Sequence, residues 1–277
     1  MCLPATLESV SCQKASKGAH RLSRRTLLAG GGGAAAAAAF PATASAVRPA
    51  KHRFQDLTHV LTEGFPVFTF DPPTRETLTT IPGDGFYAQQ WTLAEHAGTH
   101  VDVPGHFIVG GRLAPEITPE ELIVPIVVID ISERAARDSD TVLTVDDLRR
   151  FERRNGRIPN GALVCMDSGW AAKVDDPLAY KGGPAFPDYH FPGFDLDAAM
   201  WLAERRDVAG LGVDTLSIDP GNSTTFPVHV DFLATDRYGV ENLKNLDRIP
   251  PRGAVAYVGL IPLQEGSGGP SRVMANW

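Results

Sequence analysis

Hydrophobic and polar positions follow two patterns along the chain, and both predict strands. Rough period-2 alternation over residues 54–61 and 87–95 predicts strands with one buried face. Short β-branched runs predict strands that are buried on both faces, at residues 126–131, 163–166, 208–213 and 255–260. The segment between the first two strands is predicted to be an irregular surface loop because of its prolines, Pro66, Pro72, Pro73 and Pro82.

Helix-capping residues lie between the predicted strands. Helices are expected to begin at Thr118, which precedes Pro119, at Thr144, and at Asp195 or Asp197. The second helix is expected to end at Gly156. No repeat, low-complexity linker or block of charge divides the chain after residue 50, so residues 47–277 are predicted to form one mixed α/β domain.

Residues 1–46 have the features of a twin-arginine export signal. Arg24 and Arg25 stand directly before a weakly apolar, Ala/Gly-rich stretch at residues 27–40, and Ala44-Ser45-Ala46 offers a small-residue cleavage site. The sequence therefore predicts a periplasmic or extracellular protein, without stable membrane insertion once the signal is removed. The alternative interpretation is a disordered tail.

Net charge and the number of cysteines limit the binding partners and the disulfide bonds to be expected of this chain. The whole chain has a net charge of −7, and the residues after 46 carry 21 basic and 32 acidic side chains, or −11. A chain this acidic, with no basic cluster, is not expected to bind nucleic acid or anionic membrane. Cys165 is the one cysteine after residue 46, which leaves no internal disulfide, and its apolar surroundings predict a buried structural thiol.

Candidate metal ligands are concentrated in one short segment. Three histidines and one carboxylate fall within eleven residues: His96, His100, Asp102 and His106. Gly98 allows the backbone to turn, and an extended segment places His100 and Asp102 on one face. Two imidazoles and a carboxylate can hold a divalent cation and leave positions open for water and substrate. The alternative is a set of histidines hydrogen-bonded within a polar loop.

The motif His-x-Gly-Thr-His-x-Asp-x-Pro-x-His resembles the signature of the cyclase-like metal hydrolases, which include bacterial kynurenine formamidases and isatin hydrolases. Further matching segments lie at residues 56–59, 167–170, 190–193, 212–219 and 271–275. The resemblance implies a single-domain swivelling β/β/α fold within the α/β class. It also implies a homo-oligomer, expected to be a dimer.

The resemblance further implies a role for each site residue. His96, His100 and Asp102 would hold a first metal ion, while Asp102 and Glu241 would bridge to a second position completed by His229. His106 would be the catalytic acid/base. The ion or ions would be Zn²⁺ or Mn²⁺, and the donor types do not separate the two metals.

The aromatic residues expected to line the substrate pocket, here called the substrate wall, depart from the family pattern. Where the family has a tryptophan or another aromatic residue in the N-terminal loop, this chain offers Phe65 and Phe68. These residues are either part of the substrate pocket or packed into the core.

The expected activity is hydrolysis of a small aromatic amide or cyclic amide. Metal-activated water would attack the carbonyl carbon, and His106 would move the proton to the departing nitrogen. A lactone or ester hydrolase that uses the same residues is an alternative. A second alternative is an exported binding protein that captures a metal or a small acid without turnover, although such a protein has no need of His106.

The export signal can be tested by a conservative double substitution. Replacing Arg24 and Arg25 by lysine keeps the charge but removes the arginine pair, so the precursor should stay in the cytoplasm. Fractionation of the producing cells measures the outcome. Normal export of the variant would show that the leader is of another kind.

Overall fold

Twelve strands and seven α-helices make up residues 53–277, the part of the chain that the computed structural model describes. The strands are β1 (Phe54–Asp56), β2 (Thr74–Thr79), β3 (Ala88–Thr92), β4 (His100–Asp102), β5 (Ile123–Asp130), β6 (Val142–Leu143), β7 (Leu163–Asp167), β8 (Gly193–Phe194), β9 (Gly210–Val213), β10 (Tyr238–Glu241), β11 (Ala254–Leu260) and β12 (Gly268–Asn276). The α-helices are α1 (Ile81–Asp84), α2 (Pro119–Leu122), α3 (Ser132–Ala135), α4 (Val145–Asn155), α5 (Pro177–Lys181), α6 (Leu196–Arg206) and α7 (Pro227–Leu233). Short 3-10 helices cover Pro104–His106, Ala114–Glu116, Trp170–Lys173 and Leu246–Arg248.

The predicted export signal, residues 1–46, lies outside the described residues. Residues 53–277 all fall within one compact unit, Ala50–Trp277. Among them, no helix combines the length and the apolar character needed to cross a membrane. The proposed boundary between residues 46 and 47 therefore stays a prediction.

Eight of the strands form one sheet, in the order β1-β12-β11-β5-β7-β9-β10-β4. The β12 strand also pairs with β4, so the sheet closes on itself as a barrel-like ring. Strands β5, β7, β9 and β10 run parallel to one another, and the other pairings in this sheet are antiparallel. This is the mixed α/β architecture expected from the sequence.

The central strands are buried on both faces, as their continuous apolar runs predict. On β5, Val127 and Ile129 pack with residues of α4, α6 and α7, whereas Ile126 and Val128 belong to a second cluster on the opposite face. The second cluster also contains Cys165, which is fully buried as expected. Burial raises the pKa of the Cys165 thiol.

The predicted helix starts are confirmed. Thr144 caps α4 by accepting a hydrogen bond from the Asp147 amide, and the helix ends before Gly156. Of the two candidates for the third helix, Asp195 is the N-cap of α6. Thr118 precedes α2, which is only four residues long.

The prediction of an irregular loop between the first two strands was wrong for residues 74–84. β2 lies there and pairs with β3 in a hairpin, with α1 at its end. The three β-branched threonines of β2 favour an extended backbone, and the prolines flank the strand rather than interrupt it. The flanking strands are shorter than expected: β1 covers Phe54–Asp56 and β3 covers Ala88–Thr92.

A buried carboxylate stands at the carboxyl end of β7. Asp167 is 8% exposed, and its Oδ1 accepts a hydrogen bond from the Gly169 amide. Burial, and then the neighbouring charge of Asp214, raise the pKa of Asp167 to about 7. The folded chain therefore keeps this proton over a pH range in which the unfolded chain has lost it.

Asp167 should make the folded state less stable as the pH rises from about 4 to about 7. The folded state binds more protons than the unfolded state in this window, so the free energy of unfolding should fall by up to about 1.4 kcal/mol per pH unit from this group. Asp167→Asn should remove this decline. Denaturant unfolding of both proteins at several pH values measures it, and parallel curves for the two proteins would contradict the assignment.

Candidate metal centre

The three-residue strand β4 is the centre of the site, since it pairs on both sides. On one side His100 is directly opposite Glu241 of β10, which brings together two residues that are distant in sequence. On the other side Asp102 is opposite Gly268 of β12. A Cβ atom at Gly268 would lie 2.6 Å from the Cε1 atom of His96, so only glycine lets β12 approach this ring.

The predicted ligands on β4 and just before it, His96, His100 and Asp102, lie close together. Gly98 has a φ of +71°, which turns the chain between His96 and His100. His96 Nδ1 then lies 2.6 Å from Asp102 Oδ1, and His100 Nε2 lies 3.3 Å from the same oxygen. All three residues thus face one point.

His229 and Glu241 complete the cluster from the other half of the chain. His229 is on α7, and its Nε2 lies 3.4 Å from Asp102 Oδ2 and 3.3 Å from Glu241 Oε1. The second oxygen of Glu241, Oε2, lies 3.4 Å from His100 Nε2. Asp102 therefore faces three imidazoles and Glu241 faces two, and both carboxylates contact His100 and His229.

The electrostatics of the cluster fit a bound cation. Asp102 and Glu241 are 1% and 4% exposed, so their negative charge has almost no contact with water. Burial alone lowers the pKa of His100, but Asp102 and Glu241 outweigh it and raise that pKa to about 10. At His229 burial also lowers the pKa, but Asp102, Asp219 and Glu241 outweigh it and hold that pKa well above the usual range. A divalent cation supplies the same positive charge, and imidazole and carboxylate donors suit Zn²⁺ and Mn²⁺.

The second ring nitrogen of each candidate ligand is also held. His96 Nε2 lies 2.8 Å from the Ser267 hydroxyl, which donates a hydrogen bond to Glu95. His100 Nδ1 lies 2.9 Å from the Gly98 carbonyl oxygen. The partner of His229 Nδ1 is a carboxylate, that of Asp219. Such contacts fix the orientation of a ligating imidazole.

His106 differs from the other three histidines. Its ring stacks on that of His96, with centroids 3.8 Å apart, and it makes no hydrogen bond to any described residue. Burial lowers the pKa of His106 to about 4, so the ring is neutral at pH 7 and can accept a proton. One of its ring nitrogens is within 4.8 Å of ligand atoms of His96 and Asp102. It is therefore within reach of the metal position as well as of the cavity above it.

A cavity of ≈ 270 Å³ opens onto this cluster. It is lined by apolar and aromatic residues together with the site histidines: Pro66, Phe68, Thr69, Phe70, His96, His100, His106, Phe107, Phe186, Leu216, Ser217, Phe226, Glu241 and Asn242. Of the two predicted substrate-wall residues, Phe68 is in the lining. Phe65 is buried outside it, with its ring 5.8 Å from that of His59.

The sequence interpretation missed four aromatic residues of the cavity, Phe70, Phe107, Phe186 and Phe226. Phe107 directly follows the motif histidine, and Phe226 lies three residues before His229. Closeness to a predicted ligand was thus an available signal for both. Phe186 carries no such signal.

A larger cavity of ≈ 740 Å³ shares no lining residue with this one. His59, Asp167, Asp214 and Lys244 are among its lining residues. Within residues 53–277, the groups of side chains that could hold a metal ion lie at the smaller cavity instead. The candidate metal site is therefore at the smaller cavity and not at the larger one.

Comparisons with known proteins give a consistent result. The family model for Cyclase matches residues 55–220. An isatin hydrolase of Roseibium aggregatum is 30% identical over 242 residues, which cover 79% of this chain and 90% of the relative. A kynurenine formamidase of Geobacillus thermodenitrificans is 26% identical over 221 residues, 78% of this chain and 94% of the relative. The solved structure of isatin hydrolase A from Ralstonia solanacearum superimposes with a TM-score of 0.77 at 36% identity, and covers 81% of this chain and 92% of that one.

Substitution of His106 should separate catalysis from metal binding. If His106 is the acid/base, His106→Ala should keep its metal and lose about 10²–10⁴-fold in rate. His100→Ala is the control and should lose metal and activity together, because it removes a ligand. Metal content and single-turnover rate are measured on the same preparations. Loss of metal from His106→Ala would show that this residue is a ligand.

Proposed function

The chain belongs to the Cyclase family, and from this premise we propose that it is a metal-dependent hydrolase that cleaves the C–N bond of a small, uncharged aromatic lactam. The observation that carries the proposal is the position of the buried His/Asp/Glu cluster at the base of an aromatic cavity. The cluster supports hydrolysis, and the cavity supports the class of substrate.

Five side chains would hold the metal: His96, His100, Asp102, His229 and Glu241. When bound, a divalent cation makes water more acidic and withdraws electron density from a carbonyl group. Asp102 faces three imidazoles and Glu241 faces two, so these carboxylates could bind either one ion or two. The ligand set is consistent with Zn²⁺ or Mn²⁺.

His106 would supply the proton transfer. Its ring lines the cavity next to His96 and is held by stacking rather than by a hydrogen bond to any described residue. Because burial lowers its pKa to about 4, the ring is unprotonated at neutral pH and can take a proton from the attacking water. The same nitrogen can then return that proton to the departing nitrogen of the substrate.

The cavity lining favours a neutral aromatic substrate. Phe68, Phe107 and Phe226 offer ring faces and edges to a planar guest. Among residues 53–277, neither lysine nor arginine lines the cavity, and the one carboxylate in the lining, that of Glu241, faces the imidazoles. A free amino-acid group would therefore enter without an ion-pair partner among the described residues, which is costly.

Isatin and N-formylkynurenine, the two substrates that the names of the relatives suggest, differ in charge. Isatin is a neutral bicyclic lactam, whereas N-formylkynurenine carries a charged amino-acid group. With the zinc- or manganese-loaded full chain, we expect kcat/KM for isatin to exceed that for N-formylkynurenine by at least about 100-fold. The reverse preference would contradict the lactam assignment, and no turnover of either compound would contradict the proposed hydrolase.

Two neighbouring phenylalanines, one inside the cavity lining and one outside it, test whether the cavity binds the substrate. Phe68 lines it, while Phe65 is buried three residues away and outside it. Phe68→Ala should raise the KM for isatin, because an aromatic contact is lost. Phe65→Ala should lower the melting temperature without this change in KM.

We also propose that the protein is a homodimer that pairs through the β2–β3 hairpin. The hairpin is a separate two-stranded sheet, and four apolar side chains of β2 and of the segment that connects it to β3 are more than half exposed: Leu78, Ile81, Phe86 and Tyr87. Isolated two-stranded hairpins are marginally stable, and exposed apolar patches often mark interfaces. Light scattering should show a dimer for the intact chain and a monomer for Phe86→Asp. A monomeric intact chain would contradict this assembly.

Two expectations from the sequence stay predictions. One is export by the twin-arginine route to the periplasm or beyond, which rests on residues 1–46. The other is the swivelling β/β/α description of the fold, which goes beyond the mixed α/β architecture seen here.

A further inference from the structure

Asp219 lies directly behind one of the candidate ligands. Its side chain is fully buried, and it follows β9 in the chain, ten residues before His229. Asp219 Oδ2 lies 2.6 Å from His229 Nδ1, the ring nitrogen that faces away from the metal cluster. The other ring nitrogen, Nε2, faces Asp102 and Glu241.

The carboxylate of Asp219 is also fixed by the backbone. Oδ1 accepts a hydrogen bond from the Val228 amide and Oδ2 accepts one from the His229 amide, both 2.9 Å long. These amides are in the first turn of α7, where they have no partner within the helix. Because Asp219 contacts both the backbone amide and the ring of His229, this one carboxylate fixes both the position and the orientation of the ligand.

The hydrogen on the His229 ring follows from this geometry. A carboxylate can only accept hydrogen bonds, so the close contact with Asp219 places a hydrogen on Nδ1. Once a divalent cation replaces the proton on Nε2, this nitrogen points its lone pair toward Asp102 and Glu241, and the ring is in the neutral form of imidazole that binds a metal. The negative charge of Asp219 also makes the imidazole a stronger donor.

The other two imidazoles of the cluster lack such a partner. His100 Nδ1 contacts the backbone carbonyl of Gly98, which is uncharged. His96 Nε2 contacts the hydroxyl of Ser267, which can donate or accept, and lies 3.6 Å from Glu95 Oε1, which is too long for a hydrogen bond. A hydrogen bond between a carboxylate and the outward-facing ring nitrogen thus distinguishes His229 among these three described ligands.

We propose that Asp219 is a positioning residue that holds His229 in the Nδ1–H tautomer, with Nε2 directed at the metal position between Asp102 and Glu241. The proposal rests on the metal site of the proposed function. It assigns Asp219 a role in metal affinity in addition to its contacts with the start of α7.

The test compares zinc affinity in three forms of the full chain: the wild type, Asp219→Asn and Asp214→Asn. An asparagine at 219 has one acceptor oxygen in place of two and no charge, so it cannot serve His229 and Val228 together. Zinc should bind about 10–100-fold more weakly to Asp219→Asn. Competition with a chromophoric chelator measures the affinity without any substrate.

Asp214→Asn is the matched control. Asp214 is equally buried and accepts hydrogen bonds from the Ser168 and Trp170 amides, but it contacts no candidate ligand. Its substitution should lower the melting temperature and leave zinc affinity unchanged. Equal losses of affinity in the two variants, or an unchanged affinity in Asp219→Asn, would overturn the proposal. Absence of zinc binding by the wild type would instead contradict the proposed function.

A spectroscopic measurement covers the case in which Asp219→Asn does not fold. In the zinc-loaded wild type, ¹⁵N NMR of histidine side chains should show His229 with a proton on Nδ1 and zinc on Nε2. Comparison with His229→Gln identifies the signals. Zinc on Nδ1, or an Nδ1 without a proton, would overturn the proposal whatever the variants do.

Discussion

The pairing of β4 with both β10 and β12 is the constraint on which the site depends. β4 has only three residues, yet it closes the barrel-like sheet, and it carries His100 and Asp102. Its register against β10 places Glu241 opposite His100, and its register against β12 places Gly268 beside His96. A shift by one residue would turn these side chains to the opposite face. The pairing of β4 that closes the barrel-like sheet therefore also sets the geometry of the candidate ligands.

Buried negative charge is the second organising feature. Asp102, Asp219 and Glu241 are almost without contact with solvent and lie around the same imidazoles. Charges removed from water need compensation, which the imidazoles provide by binding protons and which a divalent cation provides more completely. Metal occupancy and the stability of this part of the fold are consequently linked. The ring of His106, which has no hydrogen-bond partner among the described residues, is not part of this arrangement and can exchange protons with the cavity.

The sequence predicted what depends on local pattern. The apolar runs became β5, β7, β9 and β11, although β11 was wrongly predicted to be buried on both faces, since its residues alternate between buried and partly exposed. The caps at Thr144 and Asp195 begin helices, and the segment from His96 to His106 forms the core of the site. His229 and Glu241 came only from the family resemblance, because a histidine on α7 and a glutamate on β10 have no local feature that marks them as ligands. Phe186 was missed for the same reason, since its place in the cavity depends on the tertiary fold. β2 was missed because its flanking prolines were given more weight than its threonines.

The position of β12 in the chain has a consequence for biosynthesis. Its residues Gly268–Pro270 pair with β4, and its residues Ser271–Asn276 pair with β11. A ribosome makes the segment from His96 to His106 long before it makes β12, so the nascent chain carries its ligand histidines without the strand that closes the ring. Contacts of such long sequence separation form slowly and late in folding. A metal ion that bound the nascent histidines at this stage would thus find an incomplete set of ligands. The finished site can assemble only after translation has passed β12.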